Sequence, residues 1–224
     1  APSDDYMKLQ WFGHGTLLVA ERADDGDYVW VNSNGTLSGT DYTNNLTFSR
    51  IRYQKGAVLS HYAGDTFYMS EYVDAAGTTW TVRDVQPSID FVNRRLLIGC
   101  RTTDMRHNVI YDLDAVLALG KETVEITRTW GGETAAEGVT EKKTETTSVE
   151  VRNLNRLTPL GSFRLPSYLN TGQTHQVYSY SHQGQAVWGD YVYWYEGQAI
   201  QQTGELYDGS VAYVAVFDYT GTLV

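Results

Sequence analysis

Turn-forming clusters break this chain at short, regular intervals, and a sequence so punctuated cannot sustain long helices. DDGD, SNGT, AGD, AAGTT, GGE, YDGS and YTGT each set Gly beside Asp, Asn, Ser or other small residues. Gly supplies left-handed backbone, and short polar side chains close a turn on themselves. Between the clusters lie runs such as LLVAER, DYVWVN, FSRIRY, TFYMSEYV, RLLIGC, VEITRTW, YVYWYEG and VAYVAVFDY. They are rich in β-branched and aromatic residues and have the length and alternation of strands. Helical spacing survives only in DLDAVLALGK, at 112–121. There Asp112 or Asp114 is placed to cap a turn or two of helix and Gly120 stands near its end. The expectation is an all-β fold: a sandwich, barrel or propeller with one short helix.

A repeated phrase discriminates among these. QPSIDFVNRRLLIGC, from Gln86, and HQGQAVWGDYVYWYEG, from His182, share an outline. Each has a Gln at or near its start, reaches an aromatic, turns on a polar pair and climbs into an apolar strand. A weaker copy, GHGTLLVAERADDGDYVWV, begins at Gly13. Starts at Gly13, Gln86 and Gln183 lie 73 and 97 residues apart, which fits non-neighbouring copies of a unit of roughly 40–50 residues. Four-stranded propeller blades have that size. The expected architecture is a five-bladed β-propeller of four-stranded antiparallel sheets, forming one domain over 1–224. GGETAAEGVTEKKTETTSVEV, at 131–151, has few large apolar residues and predicts an exposed hairpin or loop around 131–147.

Composition excludes several classes of function. With 17 Lys and Arg against 27 Asp and Glu, the net charge of −10 repels polyphosphate and anionic lipid, so neither nucleic acid nor a membrane surface is an expected partner. No apolar run approaches the ~20 residues that cross a bilayer. A chain of 224 residues can bury roughly 70% of its unfolded surface, so the core needs no staples. The single cysteine, Cys100, can make no internal disulfide, and inside LLIGC it reads as a buried, inert thiol. The first residues, APSDDY, are polar and lack Met, as in a processed end or a trimmed boundary.

Several of these phrases resemble a known family. Gly13-His14-Gly15 precedes an apolar strand ending in Glu21-Arg22, followed by Tyr28-Val29-Trp30. Gln183-Gly184 precedes Asp190-Tyr191-Val192-Tyr193, and DYTGTLV closes the chain at 218–224. In these the sequence resembles the five-bladed propellers of phage receptor-binding proteins and of teichoic-acid biosynthesis protein C-like proteins, a propeller shared with helveticin-type bacteriocins. Only twelve residues precede Gly13, so the first blade is expected to be completed by the C-terminal strand or by sequence upstream. The resemblance implies an extracellular protein, secreted or virion-associated, that recognises a bacterial surface polymer. It carries no catalytic residue across.

The residues support the same class. No G-x-S-x-G, H-E-x-x-H, P-loop or paired-cysteine motif is present. Concave ligand sites combine aromatic faces with a few convergent polar groups. The expected binding residues are Trp11, Trp188, Trp194 and Tyr195 as faces, with His14, Gln86, Arg101, His182, Gln183 and Gln185 around them. The charge favours a neutral polysaccharide, or an acidic one met by a local patch of Arg94, Arg95, Arg101 and Arg106. No cofactor is expected. Calcium is the one ion that Asp24-Asp25-Gly26-Asp27 could take, and a self-satisfied hairpin turn explains that segment as well. Two rival functions stand beside a lectin-like module. One is a targeting or assembly-adaptor part of a secreted antibacterial toxin, bacteriocin or phage-tail particle. The other is a glycoside hydrolase or polysaccharide lyase using two of Glu21, Asp90, Asp190 and Glu196.

Overall fold

The strand-like runs do form strands. A computed structural model describes residues 5–13, 18–38, 41–102, 106–130, 142–165, 181–200 and 209–224. Its first strands are β1 (Lys8–Leu9), β2 (Leu18–Ala23), β3 (Gly26–Asn32), β4 (Gly35–Ser38), β5 (Asp41–Asn44) and β6 (Thr47–Arg52). Next come β7 (Val58–Leu59), β8 (Asp65–Tyr68), β9 (Glu71–Val73), β10 (Thr79–Thr81), β11 (Asp84–Asp90), β12 (Arg95–Arg101) and β13 (Arg106–Asp112). After helix α1 (Leu113–Ala118) follow β14 (Lys121–Trp130), β15 (Lys143–Asn153), β16 (Gly161–Leu165), β17 (Ser181–Trp188), β18 (Tyr191–Ile200) and β19 (Gly209–Asp218). The helix stands where the sequence placed it. Asp112 caps it by accepting from the Ala115 amide, and Leu113 and Val116 are its buried face.

The fold is all-β, but its described strands do not divide into five sheets of four. They form sheets of six (order β14-β15-β8-β6-β3-β2), four (β11-β12-β13-β16) and three (β17-β18-β19), with the pairs β1-β7, β9-β10 and β4-β5. The six-stranded sheet has a physical cause. The hairpin β14–β15 docks on β8 in parallel, with Arg152 opposite Phe67, and so lengthens a unit that would otherwise hold four strands. The Arg152 guanidinium fixes that junction by reaching Asp65 at 2.8 Å and the Leu117 carbonyl at 3.0 Å. The expected exposed hairpin around 131–147 belongs to this element. Its arms pair from Lys121–Arg152 to Trp130–Lys143, so 143–147 are strand, and 131–141 lie outside the described residues.

The four-stranded sheet lies between the other two large ones and is buried on both faces. Along β12, Leu96, Ile98 and Cys100 join a core with Trp30, Phe48, Phe67, Val85, Val109 and Tyr111. Leu97 points the other way, into a second core with Ile110, Phe163, Val187, Val192, Trp194 and Phe217. Odd and even positions of one strand therefore serve different sheets, which is why RLLIGC is apolar at both. Fully burying each such side chain contributes about 1.5–3 kcal/mol. The first core is anchored by Trp30, Phe48 and Phe67, whose ring centroids lie 5.0–6.2 Å apart.

Two glycines mark close approaches. Gly35 donates to the Trp11 carbonyl at 2.9 Å, and a Cβ there would sit 2.8 Å from Gly13 Cα. The first glycine of Gly-His-Gly thus serves backbone packing, while His14 lies outside the described residues. At Gly99 a Cβ would meet the Gln185 amide at 2.0 Å, a neighbour that can swing aside. Gly99→Ala should therefore cost about 1 kcal/mol, the worth of the Gln185 hydrogen bond it displaces. Gly35→Ala pushes backbone against backbone and should cost about 2–3 kcal/mol. Urea unfolding of the two variants checks the order, and equal costs would contradict it.

Candidate functional site

The two Gln-led phrases fold as matching hairpins, β11–β12 and β17–β18, in sheets that pack face to face. Their turns are fastened together by Asp90. One of its carboxylate oxygens accepts from the Val92 and Asn93 amides at 3.0 Å. The other accepts from the Asn93 side chain at 2.6 Å and from the Gly189 amide of the second hairpin at 2.8 Å. Burial alone would raise this carboxyl, but the Asn93, Gly189 and Val92 donors outweigh it and hold it below the usual range. Further along, the Gln185 amide donates to the Gln86 carbonyl at 3.0 Å. Asn32, from the six-stranded sheet, donates to the adjacent Val85 carbonyl at 2.7 Å. Strand β11 is thus clamped by amides from both neighbouring sheets.

Five of the expected site residues converge in the seam between the four- and three-stranded sheets. On one wall, Asp84, Arg101 and Arg106 share a row, with Gln86, Gly99 and Asn108 in the next. His182, Gln185, Trp194 and Glu196 come from the opposite wall. The His182 ring lies 4.0 Å from that of Trp194, whose indole donates to Glu196 at 2.7 Å. Arg101 pairs with Asp84. Both side-chain atoms of Asn108, the His182 Nε2 and one Asp84 oxygen are buried without a hydrogen-bond partner in the protein. Asp84 and Asn108 were missed from sequence, and Glu196 was singled out only as a candidate acid of a glycosidase or lyase. Asp84 and Asn108 lie in runs whose apolar neighbours dominate the pattern, and only cross-strand register sets them opposite Arg101 and Gly99.

A second group stands on the outer face of the three-stranded sheet. Trp188 is 55% exposed, Tyr195 43% and Tyr191 41%, with Val214 at 62% beside them. Trp188 lies opposite Tyr191, and Tyr195 opposite Val214. Gln183 is exposed and donates to the Gly197 carbonyl at 3.2 Å. Tyr191 and Val214 were not among the expected binding residues, although Tyr191, Tyr193 and Tyr195 recur at the two-residue spacing that shares a strand face. Trp11 joins neither group. It packs edge-on against Trp130 at 5.7 Å, with positive φ (67°).

The arginine patch is split between the two ends of β12. Arg94 and Arg95 pair with Asp114 and Asp112, while Arg101 and Arg106 face each other at the far end. Glu21 accepts from Arg50 at 2.7 and 2.9 Å and from the Trp30 indole at 2.7 Å. Glu21, Asp90 and Glu196 lie in three different sheets, and each is already engaged by protein donors. In the acidic turn Asp25 accepts the Tyr28 hydroxyl at 2.7 Å and Asp27 pairs with Arg22. Among the described residues no group of three or more His, Cys, Asp or Glu is arranged to hold a metal ion. Cys100 is buried, and burial pushes its thiol far up.

Compared with known proteins, the chain matches no family model, and no curated protein or solved structure matches it.

The seam has a pH signature. Burial, and then the charge of Arg106, push His182 down to about 4. An unfolded histidine takes its proton near pH 6.5. The stability due to neutral His182 is therefore complete above pH 6.5 and is lost as the pH falls toward 4. The loss should be about 1–3 kcal/mol. Denaturant titrations of the wild type and His182→Gln at pH 7 and 4.5 test this. The variant should show the shallower decline, and parallel profiles would contradict it.

Proposed function

We propose that this chain is a non-catalytic, extracellular recognition module that grips a bacterial surface polysaccharide on the outer face of β17–β18–β19. One observation carries the reading. Trp188, Tyr191 and Tyr195 present large aromatic surfaces to solvent on one face of a sheet whose other face is core. Such rings stack on the apolar face of a pyranose, and their polar tips stay wet. Gln183, at the bulged start of β17, supplies an amide beside them for ring hydroxyls. The net charge of −10 favours a largely neutral polymer over a dense polyanion.

The wheel-like architecture is part of the same proposal. Three large sheets stacked face to face, with matching hairpins joined turn to turn, are what neighbouring blades of a propeller would present. The antiparallel order β2-β3-β6-β8 inside the six-stranded sheet fits a second four-stranded blade. An adaptor role in a toxin or phage-tail particle would use the same face as a subunit contact, and the bare Val214 favours that reading as the alternative.

Trp188→Ala and Tyr195→Ala should each weaken binding to a cell-wall polysaccharide fraction at least tenfold, about 1.4 kcal/mol or more. Tyr6→Ala, at an exposed aromatic elsewhere, should leave it unchanged. Sedimentation of the protein with the wall fraction reads the effect. No binding by the wild type, together with stoichiometric capture of another subunit through Trp188, would replace the glycan reading with the adaptor one.

A further inference from the structure

A separate cleft of about 250 Å³ opens at the β16 edge of the four-stranded sheet, lined by Tyr72, Asp74, Ser162, Phe163, Arg164, Thr220 and Gly221. Pockets for drug-sized ligands run to roughly 300–1,000 Å³, so this one suits a single small ring. Its one cation is Arg164, which is exposed and makes no ion pair with a carboxylate among the described residues. Its guanidinium lies 5.0 Å from the centre of the Trp80 ring. Trp80 is itself tied down, because its indole donates to Asp74 at 2.8 Å. The ring attracts the cation, and a guanidinium carries forked N–H donors that suit a planar anion.

The other walls are set by a chain of hydroxyls. Tyr72 hydrogen-bonds His107 Nδ1 at 2.5 Å, and Thr102 lies 3.3 Å from the other ring nitrogen. Burial, and then the charge of Arg164, push His107 down to about 4, so the imidazole is neutral and shares one hydrogen bond with the Tyr72 hydroxyl. Ser162 lines the cleft beside Tyr72. Asp74 receives the Ala76 and Thr78 amides on one oxygen and the Trp80 indole on the other, with lone pairs to spare for a hydroxyl donor. A doubly charged phosphate would meet the Asp74 carboxylate with only Arg164 to offset it. A single carboxylate flanked by hydroxyls fits both charges.

We propose that this cleft binds an acidic sugar residue, a uronate, with its carboxylate on the Arg164 fork and its ring hydroxyls on Asp74, Ser162 and Thr220. The carboxylate half stands on the cleft itself, and the sugar half rests on the glycan-recognition reading above. The chain's overall negative charge does not oppose it, since at physiological salt distant charges are screened within about 8 Å and Arg164 dominates locally.

The test is a titration of the full chain with sodium glucuronate, glucose and sodium acetate, followed by Trp fluorescence and calorimetry. Glucuronate should bind at least tenfold more tightly than either comparator. Arg164→Lys should weaken glucuronate about tenfold and Arg164→Gln more, with unfolding midpoints unchanged because the side chain is exposed. The double variant Trp188→Ala/Tyr195→Ala should retain glucuronate affinity, which separates this cleft from the aromatic face. If acetate or glucose binds as well as glucuronate, or if no glucuronate binds, the assignment is overturned. Arg164→Gln with unchanged affinity, or loss of glucuronate binding in the aromatic double variant, would overturn it equally.

Discussion

Strand β12 has no solvent side through its middle, and the rest of the molecule is arranged around that constraint. Leu96, Ile98 and Cys100 are buried against one sheet and Leu97 against another. Where the strand needs room, at Gly99, the neighbouring sheet sends in the Gln185 amide instead of a methyl group. That amide and Asn32 satisfy successive carbonyls of β11 from opposite directions. Apolar burial supplies the stabilisation, and the two amides fix how the sheets sit on each other, because a slipped register would leave buried polar groups unpaired. Asp90 performs the same service at the turns, where one carboxylate serves its own hairpin and the next.

This stacking decides what each face of the outer hairpin can do. Residues of β17 and β18 that point inward, Gln185, Val187, Val192 and Trp194, are committed to the second core and its polar seam. Those that point outward, Trp188, Tyr191 and Tyr195, are left bare. The inner face supplies rigidity, and the outer face can then hold large side chains in place without covering them. Binding through rings already ordered loses little conformational entropy, which is how a small site reaches useful affinity. The cleft at β16 follows the same logic, with Trp80 and Asp74 holding the Arg164 fork in place.

Much of the fold was legible. The helix cap at Asp112, the turns at Asp25-Gly26 and Gly189-Asp190, and the kinship of the Gln86 and Gln183 hairpins follow from local rules of spacing and turn chemistry. The sheet count did not, because the parallel pairing of β15 with β8 joins residues some 85 positions apart and leaves no mark on either run. The candidate site was half legible for a related reason. VWGDYVYWYEG is apolar or aromatic at both odd and even positions, so its pattern cannot say which rings face the core. The packing of the sheet on the second core decides it, burying Trp194 and exposing Trp188 and Tyr195, and the bulge between His182 and Gly184 turns His182 to the side of Trp194 and Glu196. Arg164 and Asp74 carry no sequence signature at all. A cross-sheet neighbour, Trp80, is what relates them.

Amide hydrogen exchange measured residue by residue tests the two-faced sheet most directly. The amides of Leu96–Cys100 and Val109–Tyr111 should be the slowest in the molecule and should exchange together, only when the whole chain unfolds. Those of β18 and β19 should exchange sooner, through opening of the three-stranded sheet alone. Exchange in β12 as fast as in β18 would mean that the central sheet opens on its own, and that the faces it supports are not held as described.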